Sequence, residues 1–184
     1  IQVLGYVQKI YQVDHRRAYP TPWPYVQEDL KRGVDFSADV PRQFFPGHVI
    51  VINAIPTGNP NGIFVIKFTE GSSKRQMFHI SVRFNSRVTA VNSMTEAMEW
   101  RRDEERYSFP FAVDQMFKMA IAITETSFSV AVDGEKFFTY AFRYSNSLLD
   151  TLMGLKFQPS NGLQLEVQEI NHLNMGMSDC EGFE

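Results

Sequence analysis

His79, Ser81 and Arg83 occupy alternate positions of the stretch MFHISVRF, and a spacing of two puts all three on one face of an extended strand. An imidazole, a hydroxyl and a guanidinium in a row form a platform of hydrogen-bond donors and acceptors. Asn92 adds an amide further on, and Trp100 adds a broad apolar ring just before the charged run RRDEER at 101–106. Within that run Asp103 and Glu105 are two apart, about 6–7 Å between Cα atoms on a strand. Paired carboxylates that hydrolyse glycosides stand about 5–9.5 Å apart, so the spacing alone would permit that chemistry. No third acidic residue completes a hydrolase pattern, however, and neither a glycine-rich phosphate loop nor a Ser-His-Asp order occurs. Four scattered histidines and one cysteine, Cys180, do not make a metal set. The residues carry no recognisable catalytic or metal-binding pattern.

The platform needs strands to hold it, and the chain supplies them. From Gly47 onward, runs rich in Val, Ile, Phe and Thr alternate with turn residues, as in an all-β sandwich. The expected strands are 48–54, 62–70, 76–84, 87–93, 104–111, 115–124, 127–133, 135–143, 151–157 and 163–170. Asp133-Gly134 tolerates positive φ at both central positions of a type I′ turn and so predicts a tight antiparallel hairpin. PTGNPNG at 56–62 marks another turn. No stretch in this region sustains the i, i+3, i+4, i+7 apolar spacing of a long helix. Residues 1–24 differ: VLGYVQKIYQV fits a short amphipathic helix through Val3, Val7 and Ile10, or an added strand, and YPTPWPY is extended by its prolines. These residues read as an arm or linker, 25–173 as one domain, and 174–184 as an acidic tail that frays.

Composition agrees with a single aromatic core. Of 184 residues, 43% are hydrophobic and 21% charged, with sixteen Phe against eleven Gly, which argues against disorder. A net charge of −3 offers no broad positive field for phosphates, so nucleic acid is not an expected partner despite the small basic clusters at Arg16-Arg17 and Arg101-Arg102. A lone cysteine allows no internal disulfide, and no Asn-x-Ser/Thr acceptor occurs, both of which suit synthesis in a reducing compartment. No apolar run approaches the roughly 20 residues that span a bilayer, and the opening residues lack the marks of a secretory signal.

From about Trp23 to Leu173 the chain resembles a galectin carbohydrate-recognition domain. The resemblance is carried by PGHVIVINAIP, FHISVRF in place of the usual His-x-Asn-Pro-Arg strand, VNS with Asn92, Trp100, FPF at 109–111 and FSVAVDGEKFFTYAFR. It implies an all-β, jelly-roll sandwich of two antiparallel sheets that binds β-galactoside-bearing glycans. It further implies cytosolic synthesis with export that needs no signal peptide, and it leaves room for a homo-oligomer or a second lectin domain. The chemistry is direct: the axial hydroxyl of galactose takes charged or amide partners at fixed angles, and the opposite C–H face lies flat on an indole.

Carried over position by position, the family's site falls on His79, Arg83, Asn92 and Trp100. Ser81 stands where the family has Asn and Val82 where it has Pro, so a short hydroxyl replaces a longer amide and a direct contact can become water-mediated. Counting back from FPF places Asp103 at the family's Glu and Glu105 at its Arg. Sliding by one residue would bring Glu104 and Arg106 there instead, but a one-residue slip turns every side chain over and needs a bulge between Trp100 and Glu104. The ungapped spacing from Trp100 to Phe109 favours Asp103 and Glu105 as the carboxylates that orient Arg83. Outside the resemblance, His79 would also serve as a hydrogen-bonded structural histidine, Trp100 as a cap on the sandwich edge or a partner contact, and 101–106 as a solvated charged strand. Trp23 reads as a packing anchor for the arm.

Overall fold

The computed structural model describes residues 36–39, 46–71, 73–144, 149 and 151–174. The arm at 1–24, with Trp23, and the acidic tail beyond Asn174, with Cys180, lie outside the described residues. Among the described residues, eleven strands form a jelly-roll sandwich: β1 (Phe36–Asp39), β2 (His48–Gly58), β3 (Ile63–Glu70), β4 (Gln76–Arg83), β5 (Val88–Asn92), β6 (Glu105–Tyr107), β7 (Phe117–Ile123), β8 (Ser127–Val132), β9 (Glu135–Ala141), β10 (Leu152–Ser160) and β11 (Leu163–Asn174). One sheet runs β1-β10-β3-β4-β5-β6 and the other β11-β2-β7-β8-β9, with antiparallel pairing throughout.

Every strand expected from the apolar runs is present, several with different ends. β6 is much shorter than 104–111, since Pro110 brings no N–H to a ladder. β1 was not anticipated, because FSAD is too short and too polar to register as a periodic run. The β8–β9 hairpin closes through Asp133 and Gly134 with φ of 51° and 86°, the two positive values that a type I′ turn requires.

Alternation in β3 and β4 turns Phe64, Ile66, Phe68, Phe78, Ile80 and Val82 inward. Phe78 stacks on Phe128 of the opposite sheet at 4.2 Å between centroids and 14° between planes. Phe64 stacks on Phe117 at 5.5 Å. These pairs clamp the two sheets behind β4 and so hold its outward residues still.

Candidate functional site

Register decides which side chains share the outer face of the six-stranded sheet. His79 pairs with Lys67 on β3 and Asn92 on β5, giving a row Lys67–His79–Asn92. The next row is Val65–Ser81–Ala90–Arg106, across four strands. A third row carries Ile63, Arg83 and Val88. Directly paired residues project to the same side, so the imidazole, hydroxyl and guanidinium stand together as their spacing predicts.

Arg83 is held on three sides. Its Nε donates to Ser81 Oγ at 3.2 Å, and its two terminal nitrogens donate to Glu104 Oε1 and Oε2 at 3.3 and 2.7 Å. Of the five guanidinium N–H groups, two remain for a ligand. Glu104 also accepts from Arg106 Nε at 3.1 Å. The hydrogen bond from Arg83 keeps the Glu104 carboxyl below its ordinary range, against the smaller opposing effect of burial.

His79 lies half-buried, with Nδ1 2.7 Å from Gln76 Oε1. Donation from Nδ1–H to that amide oxygen leaves Nε2 as an acceptor. Burial, then the nearby charges of Lys67 and Arg83, push the imidazole down to about 4, with Glu104 pulling the other way. It is neutral at physiological pH. The edge of the ring meets Trp100 at 4.8 Å and 74°.

Trp100 is 46% exposed, and its backbone bridges to Met94, whose N–H donates to Gln76 O. A tight turn closed by Thr95 N–H to Glu99 O presents the indole beside His79. Asn92, directly across from His79, donates through Nδ2 to Arg101 O at 3.0 Å and accepts at Oδ1 from Ser93 N–H at 2.8 Å. It therefore anchors the segment after Trp100, while one amide N–H and one lone pair stay available.

The placement of Asp103 and Glu105 is corrected by the structure. Neither holds Arg83; both hold Arg143, which follows β9 in the other sheet, at 3.3 Å from Asp103 Oδ2 and 2.5 Å from Glu105 Oε1. Glu105 pairs with Val91 and shares its inward-turned face with Tyr107, whose ring stacks on Phe138 at 4.5 Å. The reason is parity. From Met94 back to Ala90 is four residues, whereas from their partners Trp100 on to Arg106 is six, so two residues leave the ladder between them and the alternation is unchanged. Glu104 and Arg106, an even number of residues from Trp100, share its outer face, and Asp103 and Glu105 fall on the other. Gln76 and Lys67 complete the site and were not singled out. Gln76 sits three residues before His79, across a register shift in the β3–β4 pairing, so no spacing rule marks it as a partner.

The result is a shallow polar floor with an aromatic wall. A neutral imidazole acceptor, two guanidinium N–H donors, an amide and an indole suit a polyol with one apolar face. Among the described residues no group of three His, Cys, Asp or Glu could hold a metal ion.

Comparison with known proteins places this floor in context. The chain is 28% identical to galectin-8 of Rattus norvegicus over 125 residues, covering 65% of this chain and 39% of that protein. It is 28% identical to galectin-3 of Mus musculus over 130 residues, covering 70% and 48%. It thus spans less than half the length of these relatives. Sheep galectin-11, solved in complex with glycerol, superposes with a TM-score of 0.64 at 15% identity, covering 76% of this chain and 98% of that one. A Caenorhabditis elegans galectin superposes at 0.60 and 17% identity, covering 75% and 94%. At such identities the likeness is one of fold. Residues 35–157 match the galactoside-binding lectin family, and on that match, which takes in well over half of the sequence, this chain belongs to the galactoside-binding lectins, the galectins.

Proposed function

We propose that this chain is a non-catalytic lectin that binds β-galactoside-bearing glycans on the outer face of the six-stranded sheet. His79 Nε2 accepts a sugar hydroxyl, Arg83 donates its two remaining N–H groups, Asn92, 6% exposed, reaches the ligand through water by its spare amide N–H, and Trp100 carries the C–H face. The single observation behind this reading is the Arg83–Glu104 pair beside a neutral His79 under an exposed indole. Ser81 contributes by fixing Arg83 through Oγ; as it is buried, with 4% exposure, its reach to a ligand runs through water. Affinity for a plain disaccharide is accordingly lower than with an amide at this position.

Catalysis is disfavoured by the same geometry. A glycosidic general acid needs a raised carboxyl pKa, and Glu104 is shifted the other way by its arginine. A second reading, a galectin fold whose sugar site has decayed into a protein-interaction surface, draws on Ser81 and on the neutralisation of Arg83 by Glu104. Titrating lactose while following intrinsic fluorescence separates the two. A saturable change that disappears in Trp100→Ala supports the lectin; no response at tens of millimolar sugar gives the site to the second reading.

A further inference from the structure

The central strands of the five-stranded sheet are buried on both sides. β8 is buried at all positions of SFSVAV, β7 at all but one position of FKMAIAI, and β2 over HVIVI without interruption. An antiparallel sheet with one solvated face alternates buried and exposed positions, as β9 does with Phe138 and Tyr140 inward and Thr139 and Ala141 exposed. The inward residues of β2, β7 and β8 are Ile50, Ile52, Met119, Ile121, Phe128 and Val130, which belong to the core. Their neighbours Val49, Val51, Ala120 and Ala131 project the other way, yet are 0% exposed, with Ala122 at 1%. Register gathers them into one patch: Val51 faces Ala120, Ala120 faces Ala131, and Val49 faces Ala122. No strand among the described residues crosses it.

We infer that this flat, small-residue outer face is a docking surface for the protein's own N-terminal segment, with the apolar stripe Val3, Val7 and Ile10 laid over Val49, Val51, Ala120 and Ala131. Chemistry selects this occupant. Residues 1–13 contain one charged side chain, Lys9, and no acid, whereas the other terminal segment carries Asp179, Glu181 and Glu184, whose carboxylates would lose hydration against Val and Ala. Alanine and serine at the outward positions leave a smooth floor on which a helix or extended chain can lie close. Reach is sufficient. Residue 36 enters the six-stranded sheet at its β1 edge beside β10, and β10 contacts β11 at the near edge of the other sheet. From β11 to β8 is three strand spacings, about 15 Å, and the sandwich is about 10 Å thick. Residues 14–35, extended at about 3.3 Å each, reach ~70 Å.

The test uses the full chain. A spin label is placed on Gln8→Cys in a Cys180→Ser background, and the methyl signals of Val49, Val51, Ala120, Ala122 and Ala131 are followed by NMR. The expected result is loss of most of their intensity, with the methyl of Val65 on the opposite sheet unaffected and lactose binding unchanged. Full intensity at all five positions overturns the inference. So does broadening seen when labelled protein without isotope is mixed with isotope-enriched protein without label, since that gives the face to a second copy. Broadening produced only by a label on the native Cys180 overturns it in favour of the C-terminal tail.

Discussion

At the scale of single residues, His79 sets the pH behaviour. Its ordinary value is 6.5 and its folded value about 4, so between those limits the unfolded chain binds a proton that the folded chain refuses. Stability therefore declines as pH falls from about 6.5 and this contribution stops changing below about 4; the whole effect is at most on the order of 3 kcal/mol. Glu104, with its depressed carboxyl, adds stability above its unfolded value that is lost as pH falls through its folded value, so both groups act in the same direction. In the proposed function, ligand binding needs the neutral Nε2. Affinity should be flat from about pH 8 to 6 and halved near pH 4, where half the imidazole is protonated, as isothermal titration with lactose would show. Affinity already halved near pH 6.5 would mean that the ring keeps its ordinary value. The presence of His79, Ser81 and Arg83 on one face was legible from spacing alone, because strand periodicity leaves no freedom once the strand exists. The neutrality of the imidazole was not, since it comes first from burial within the folded sandwich and then from Lys67 on the neighbouring strand β3.

At the scale of elements, β6 and the segment leading into it decide which carboxylate serves the site. Glu104→Gln removes the bidentate partner of Arg83, and a charge-assisted hydrogen bond is worth about 1.5–3 kcal/mol. Sugar affinity should drop about tenfold or more, with a modest change in thermal midpoint. Glu105→Gln should do the reverse. It loosens Arg143 from the opposite sheet and lowers stability by about 1 kcal/mol, while affinity stays near wild type. If Glu105→Gln abolished binding and Glu104→Gln did not, the outer face would carry Asp103 and Glu105 instead. The ungapped family spacing from Trp100 to Phe109 favoured Asp103 and Glu105, yet both lie an odd number of residues from Trp100 and so face away from it on an alternating strand. The loop-out is paid for by contacts no local pattern reveals: Asn92 Nδ2 to Arg101 O, Arg101 Nη2 to Arg143 O, and the grip of Arg143 on both acids.

At the scale of the whole molecule, phenylalanine stacking between the sheets carries the site. Phe78 contacts Phe68 and Phe128 within 6.0 Å and lies directly behind His79. Phe78→Ala should cost about 3–5 kcal/mol, a large share of the roughly 5–15 kcal/mol that stabilises a typical domain, and urea denaturation would read it as a lower midpoint. Ten of the strands, the I′ hairpin and the outward face of β4 follow from sequence alone, because alternation and turn chemistry are local and repeat over many residues. β1 does not, being four residues that become a strand only when β10 offers its edge. The partner of Arg83 and the double burial of β2, β7 and β8 likewise belong to tertiary structure. Which carboxylate meets a guanidinium, and what covers a face, depend on how distant segments are brought together, and no nearest-neighbour pattern in the chain encodes that.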